Sequence, residues 1–200
     1  MLIWIVGFAV FLVSVTLHEV AHGFTAACLG DDTALRKGRI NLNPLRHIDI
    51  FWTVLLPISL FLSTGGRFII GQAKPVPVNF GKLRPYRLGM ISVALAGPAV
   101  NIVLAFLFSI LYRRTAWAMV LMFGVYLNLA LGVFNLLPIP PLDGSRVVNG
   151  LLPAKWSALY SRIEPYGFII VVVLVYFGVL KNIVIPGINF FCRAFDVPYL

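Results

Sequence analysis

Long apolar runs alternate with shorter polar segments along the whole chain, and their lengths predict its architecture. A helix needs about 20 apolar residues to cross the hydrocarbon core of a bilayer. Four runs reach this length, at about residues 2–28, 88–112, 116–137 and 166–185. A fifth run, residues 50–64, has only 15 residues and carries Pro57 in its middle, which suits a re-entrant or short interfacial segment. We therefore expect an all-α polytopic membrane protein with about four full transmembrane helices.

The overall composition agrees with a membrane location. The chain has 200 residues, of which 60% are hydrophobic and 12% are charged. Average soluble domains are about 45–50% apolar and about 25% charged. The length predicts a single domain over residues 1–200. The sequence begins MLIWIVGF, with no Lys or Arg ahead of the apolar run, so we expect the first helix to be retained and not removed as a signal peptide.

The basic residues predict how the chain is oriented in the cell membrane. If residues 50–64 dip in and out, twelve Lys and Arg residues lie on one side and four on the other, whereas a full crossing gives eight on each side. The positive-inside rule favours the unequal split, with a non-cytoplasmic N-terminus and the basic side in the cytoplasm. The net charge of +9 thus indicates the lipid bilayer as partner, and we expect no nucleic-acid binding.

Two segments beside the short apolar run have a pattern that is not helical. Residues 39–43 alternate polar and apolar side chains and end at Pro44. Residues 68–78 carry Pro75 and Pro77, which disfavour a helix. We expect short β-strands at the membrane surface in both segments.

The first apolar run contains the sequence His18-Glu19-Val20-Ala21-His22. Residues four apart on a helix project from the same face about one turn apart. The two imidazoles can therefore bind one Zn²⁺ while Glu19 reaches water at the metal. The alternative, a solvated polar face, fits poorly because apolar residues flank the motif on both sides. Ionisable groups inside a membrane are costly and mark candidate functional sites.

A catalytic zinc site usually has a third protein ligand. His47 lies in a basic, polar loop and suits an interfacial position. Asp143 is the better candidate, because three prolines in four positions force irregular backbone just before it. It can also be a helix-capping or turn aspartate. Two full spans separate Asp143 from His22, so the two residues reach the same face of the membrane only if residues 50–64 are re-entrant.

These motifs resemble the site-2 protease family of intramembrane zinc metalloproteases, in its compact prokaryotic form without an appended regulatory domain. The resemblance is carried by HEVAH, by AGPAVN at residues 96–101, and by the Asn-x-x-Pro-x-x-x-x-Asp-Gly pattern of residues 135–144. Residues 43–49 and 73–79 are similar to that family as well, and the similarity extends over roughly residues 8–170.

The resemblance implies a function. The chain would be a zinc-dependent endopeptidase that hydrolyses peptide bonds in or near transmembrane segments of membrane proteins, as in regulated intramembrane proteolysis, with its active site towards the cytoplasmic side. By the same resemblance, one Zn²⁺ per chain is bound by His18, His22 and Asp143. Glu19 is then the general base, and Asn135 contacts the substrate.

The residues leave further alternatives open. The two extended segments can pair with an unwound substrate as an added strand, or pack simply as loops. Gly97, Pro98 and Asn101 favour close helix packing with an interhelical hydrogen bond over a direct catalytic role. A non-catalytic scaffold that binds transmembrane partners is the main alternative function. A transporter fits less well, because the ionisable groups concentrate at one place in the sequence pattern. The oligomeric state is not predicted.

Overall fold

The computed structural model describes residues 2–63, 65, 71, 73–114 and 117–199, with the backbone alone at residues 2–4, 54 and 60. The α-helices, in chain order, are α1 (Leu2–Cys28), α2 (Thr33–Arg36), α3 (Leu56–Ser63), α4 (Tyr86–Tyr112), α5 (Ala118–Asn135), α6 (Asp143–Leu151), α7 (Ala154–Ser161), α8 (Gly167–Tyr176) and α9 (Lys181–Ala194). A π-helix occupies Ile50–Leu55, and 3₁₀ turns occupy Pro44–His47, Phe80–Lys82 and Glu164–Tyr166.

The three long apolar helices α1, α4 and α5 pack together at the centre of the fold. His18 of α1 bonds to Asn101 of α4, and His22, one turn further along α1, bonds to Val93, two turns earlier in α4. These two helices are therefore antiparallel. Asn101 also bonds to Asn128 of α5, which packs antiparallel to α4. The C-terminal ends of α1 and α5 consequently lie at the same end of the bundle as the N-terminal end of α4.

The prediction of about four apolar helical spans is confirmed. In the described part of the chain, four helical stretches are long and apolar enough to cross a membrane: Ile5–Cys28, Tyr86–Tyr112, Ala118–Asn135 and Ala154–Tyr176. The first three agree with the sequence pattern. The run at 166–185, predicted as one span, is instead divided between α8 and α9 by a turn in which Gly178 has a φ of +69°. The left-handed backbone there favours glycine and ends α8.

The segment between α1 and α4 leaves the bundle and returns to it at the same end. The N–H of Arg84 donates to the carbonyl of Leu29 at 2.9 Å, which joins the two ends of the segment. Next to this junction the fully buried Asp31 accepts a hydrogen bond from the N–H of Asn79 at 2.6 Å. Burial raises the pKa of Asp31, but hydrogen bonds to its carboxylate and the charge of Lys82 outweigh burial and lower the pKa below its ordinary value.

The short apolar run within this segment is helical. Asp49 caps its first turn, because the carboxylate accepts hydrogen bonds from the N–H groups of Phe51 and Trp52 at 3.0 Å each. The π-helix Ile50–Leu55 then continues into α3. How far Ile50–Ser63 enters the bilayer, and hence its re-entrant character, stays a prediction.

The predicted surface strands are not confirmed, since no β-strand occurs in the described ranges. Residues 39–43 have an irregular backbone without ladder pairing. Of the second predicted strand, residues 66–70 and 72 lie outside the described residues. Residues 73–79 form neither helix nor strand. The N–H groups of Lys74 and Val76 donate to His47 and Glu19, and so they do not pair with a neighbouring strand.

The C-terminal helix α9 completes the packing of α5. Its buried residues belong to a hydrophobic cluster made by Ala105, Val125, Leu129, Val133, Ile188, Cys192 and Val197. Arg113, at the end of α4, donates to the carbonyls of Phe195 and Asp196 at 2.6 Å each and so ties down the chain after α9. Residues 186–199 thus pack against α5 and the C-terminal half of α4.

Candidate metal centre

Two histidines on the inner face of α1 begin the site. His18 and His22 are 7% and 8% exposed, because their spacing of four residues directs both rings towards α4. A buried imidazole needs partners for both ring nitrogens. The outer nitrogen of each ring is bonded to α4, and the inner nitrogens face each other at 3.1 Å.

The loop after α5 carries Asp143 to the same place. Asp143 is the first residue of α6, and it follows the irregular segment 136–142. A Cβ on Gly144 would lie 2.1 Å from the carbonyl oxygen of Leu136 and 2.5 Å from that of Leu137. Only glycine therefore allows the first turn of α6 to pack directly on the end of α5. This close packing brings a carboxylate to the two imidazoles across 121 residues of sequence.

The three inner atoms form a nearly equilateral triangle. Nε2 of His18 and Nε2 of His22 are 3.1 Å apart, and they lie 3.1 Å and 3.3 Å from Oδ2 of Asp143. Tetrahedral zinc with bonds of about 2.0–2.2 Å separates its ligand atoms by about 3.3–3.6 Å. The triangle is thus one face of a tetrahedral site, to within a few tenths of an ångström.

The outer hydrogen bonds determine which ring atoms carry protons. Nδ1 of His22 lies 2.7 Å from the carbonyl oxygen of Val93, which can only accept, so Nδ1 donates. Nδ1 of His18 lies 2.5 Å from Oδ1 of Asn101 and donates in the same way. In neutral imidazoles both Nε2 atoms then present lone pairs to the centre. Oδ2 of Asp143 is buried and has no hydrogen-bond donor within the described residues.

Three converging lone pairs need a cation between them. Two imidazoles and one carboxylate are a donor set typical of zinc, and three protein ligands leave a fourth position free for substrate or water. Each imidazole has an oxygen acceptor on its outer nitrogen, as metal-binding histidines almost always do. The residues present therefore fit a catalytic zinc ion.

Gly97 allows α4 to approach the two rings closely. A Cβ at this position would lie 2.5 Å from Nε2 of His22 and 2.6 Å from Nε2 of His18. Pro98, fully buried beside it, has no N–H, so α4 lacks one of its internal hydrogen bonds here. The AGPAVN sequence thus brings the helix backbone against the two candidate ligands and, at Asn101, supplies a hydrogen-bond acceptor to one of them.

Glu19 lies beside the first histidine and is held by a neighbouring loop. Its Oε2 accepts a hydrogen bond from the N–H of Val76 at 2.8 Å. The side chain of Val76 is buried against α1, where a Cβ on Gly23 would lie 2.8 Å from it. The loop at residues 73–79 therefore packs against α1 next to Glu19, the candidate general base.

The same loop has no free N–H group at residues 74–77. The N–H of Lys74 donates to the carbonyl of His47 at 2.9 Å, and the N–H of Val76 donates to the glutamate described above. Pro75 and Pro77 have no N–H. These four residues cannot donate to an added substrate strand, so any N–H donors of a substrate-pairing edge come from residues outside 74–77.

The structure brings His18, His22 and Asp143 together, while the side chains of the candidates His47 and Asn135 bond to backbone carbonyls. His47 is buried in its 3₁₀ turn, where its Nε2 lies 2.7 Å from the carbonyl of Asn41. Asn135, at the end of α5, is partly buried and donates to the carbonyl of Leu131 at 2.9 Å.

The interhelical hydrogen bond predicted for Asn101 is confirmed, but the sequence did not show that its partner is a metal-ligand candidate. Two other contributions to the site were not predicted from the sequence. One is Asn128, which is fully buried and bonds to Asn101 at 2.9 Å. The other is a backbone N–H, that of Val76, which holds the candidate base. A polar residue in the middle of an apolar span was the available signal for Asn128.

Comparison with known proteins finds a matching family and several relatives. The model of Peptidase family M50 matches residues 112–178. The Bacillus subtilis protein named "Putative zinc metalloprotease YwhC" is 40% identical over 176 residues, which cover 82% of this chain and 76% of that protein. The Mycolicibacterium smegmatis protein named "Putative zinc metalloprotease Rip2" is 34% identical, over 86% of this chain and 67% of that protein. No solved structure matches the chain.

The fold and site define a polytopic membrane protein with a His-His-Asp group among its helices that could hold a metal ion. The chain belongs to peptidase family M50, the site-2 protease family, and it is a zinc metalloprotease.

Proposed function

We propose that this zinc metalloprotease is an intramembrane endopeptidase that cleaves peptide bonds in or near transmembrane segments of other membrane proteins. His18, His22 and Asp143 hold the zinc ion, and Glu19 is the general base. The observation that carries the proposal is the convergence of Nε2 of His18, Nε2 of His22 and Oδ2 of Asp143 within a set of apolar helices, with the carboxylate of Glu19 next to the first ligand.

Zinc bound at this position supplies Lewis-acid polarisation of the scissile carbonyl and of water. Glu19 accepts a proton from the attacking water and passes it to the leaving amine. The N–H of Val76 donates to one oxygen of this carboxylate at 2.8 Å, and this bond restricts rotation of the carboxylate. The other oxygen carries out the proton transfer. Asn135 lies at the end of α5, before the loop that carries Asp143, and its amide oxygen contacts the substrate.

The substrate is a transmembrane protein that reaches the site from the bilayer. A helix hides its peptide bonds in its own hydrogen bonds, so the substrate must unwind before cleavage. The N-terminus lies outside the cytoplasm and the site opens towards the cytoplasmic side, because most Lys and Arg residues belong to loops at that end. Residues 1–200 act as one domain, and the return of the segment after α1 to the same end of the bundle supports this topology.

A non-catalytic scaffold is the alternative for which a test is needed. Such a protein would bind transmembrane partners without cutting them. The complete set of three ligands with an adjacent glutamate favours catalysis, because a scaffold needs none of these costly groups inside a membrane.

The test is cleavage by the purified protein in lipid vesicles that also contain single-span transmembrane peptides. We expect the wild type to cut within or next to the apolar segment, with the site mapped by mass spectrometry. Glu19→Gln should lower the rate by about 10²–10⁴-fold while zinc stays bound. Asp32→Asn makes the same carboxyl-to-amide change at a partly exposed position just before α2 and serves as the control.

A zinc-loaded wild type that binds these peptides without cutting them would favour the scaffold. Cleavage of soluble peptides alone, with every transmembrane peptide left intact, would contradict the intramembrane assignment.

A further inference from the structure

A line of buried polar side chains runs from the candidate zinc site through three helices. Oδ1 of Asn101 faces Nδ1 of His18, and Nδ2 of Asn101 donates to Oδ1 of Asn128 at 2.9 Å. Nδ2 of Asn128 donates in turn to Oγ of Ser14 and to the carbonyl of Gly124, at 2.9 Å each. Ser14 lies one turn before His18 on α1, so the line begins and ends on the same helix face.

The side chains of this line are buried and inaccessible to water. Asn101 and Asn128 are 0% exposed, and Ser14 is 1% exposed. An amide buried in this way costs free energy unless its donors and acceptors are paired, and the penalty is larger among apolar helices. Both amides therefore have one strongly preferred orientation.

The orientation of the whole line is set at the carbonyl of Gly124. A carbonyl oxygen can only accept, so Asn128 must turn Nδ2 towards it and Oδ1 towards Asn101. Asn101 must then offer Nδ2 to Asn128 and Oδ1 to His18. His18 can satisfy that oxygen only with a proton on Nδ1, which leaves the lone pair of Nε2 for the metal.

We propose that Asn128 is a positioning residue for zinc binding, which acts through Asn101 to fix the proton of His18 on Nδ1. The inference rests on the proposed role of His18 as a zinc ligand. Without Asn128, Asn101 is free to turn its amide over and present Nδ2 to the ring. His18 then accepts at Nδ1 and is protonated at Nε2, a form that cannot bind zinc.

The experiment measures zinc affinity of the full-length apoprotein in detergent, by competition against Co²⁺ followed through the visible absorption of bound Co²⁺. Loss of a partner behind a metal ligand typically costs 10–100-fold in affinity. We expect about a 10-fold loss or more for Asn128→Leu, which is similar in size and cannot hydrogen-bond. We expect a smaller loss for Ser14→Ala, which removes one of the two acceptors of Asn128.

Ser109→Ala is the matched control. Ser109 is a buried polar residue of α4 whose hydroxyl donates to the carbonyl of Phe106, and no hydrogen bond links it to the line. Its substitution should leave zinc affinity within about twofold of the wild type. Thermal unfolding of each apoprotein separates a loss of stability from a loss of zinc affinity.

A double substitution distinguishes positioning from packing. If Asn128 acts through Asn101, adding Asn128→Leu to Asn101→Leu lowers zinc affinity no further, whereas independent packing defects multiply. Multiplied losses, or wild-type affinity in a folded Asn128→Leu, would overturn the inference. If Asn128→Leu does not fold, Asn128→Ala decides in its place: a zinc affinity equal to that of Ser109→Ala refutes the inference. A His18→Ala chain that binds zinc as tightly as the wild type would instead refute the proposed site itself.

Discussion

Gly97 lies where α4 crosses the two imidazoles, so Gly97→Ala places a methyl group against the metal ligands. A Cβ at this position lies 2.5 Å from Nε2 of His22 and 2.6 Å from both Cε1 and Nε2 of His18. Ordinary contact begins near 3.4 Å, so the rings and the helix must separate by up to about 0.9 Å.

Neither ring can make this movement without losing a partner. His18 is held on its outer side by Asn101 and His22 by the carbonyl of Val93. Metal–ligand distances tolerate only about 0.2 Å of displacement. A shift several times larger removes at least one ligand, and we expect zinc affinity to fall by about 100-fold or more, which corresponds to about 2.7 kcal/mol.

The assay is zinc affinity by Co²⁺ competition, together with the zinc content of the purified protein. Gly7→Ala is the control, because a Cβ on this α1 glycine meets only the ring of Phe123 at an ordinary 3.4 Å. It should leave zinc affinity unchanged and raise stability by at most about 1 kcal/mol. A folded Gly97→Ala chain with wild-type zinc affinity would refute the close approach of α4 to the metal ligands.

Two further substitutions test the third ligand and the junction between α1 and α4. Asp143→Asn should lower zinc affinity by about 100-fold, measured as above, because an amide is a poor zinc ligand; unchanged affinity would remove Asp143 from the site. Asp31 has a pKa below its ordinary value of 3.8 when folded, so its carboxylate stabilises the fold above that value and the contribution is lost as the pH falls through the folded pKa. The apoprotein unfolding temperature of Asp31→Asn should therefore lie below that of the wild type at pH 7, with a difference that shrinks below about pH 4; a difference independent of pH would contradict this account.

The sequence predicted the parts of the site that depend on local geometry. A spacing of four residues places His18 and His22 on one face of any helix, whatever that helix packs against. The prolines before Asp143 and the glycine after it predict a break and a tight turn in the same local way. The long apolar runs likewise predicted three of the four spans, because length and hydropathy suffice for a helix in a bilayer.

The remaining features depend on packing between distant segments. Whether Asn101 faces lipid, another helix or a metal ligand is set by the rotation of α4 against α1, which the sequence pattern does not specify. The surface strands were expected from alternation and prolines, but the donors of residues 74–77 are used by His47 and Glu19. The run at 166–185 was predicted as one continuous span because a single glycine, Gly178, marks the turn and apolar residues surround it.

The amides behind His18 suit a site that lies inside a membrane. A carboxylate behind a metal-bound histidine is common in proteins, but a charged group at the bilayer centre costs about 2.5–3.5 kcal/mol on insertion scales. Asn101 provides the same acceptor oxygen without a charge. An amide alone can turn over, however, whereas a carboxylate has two equivalent oxygens. The second amide, Asn128, prevents this by its bond to a helix carbonyl that can only accept. In the proposed site, two neutral residues on separate helices thus replace one buried charge in keeping the inner nitrogen of His18 free for zinc.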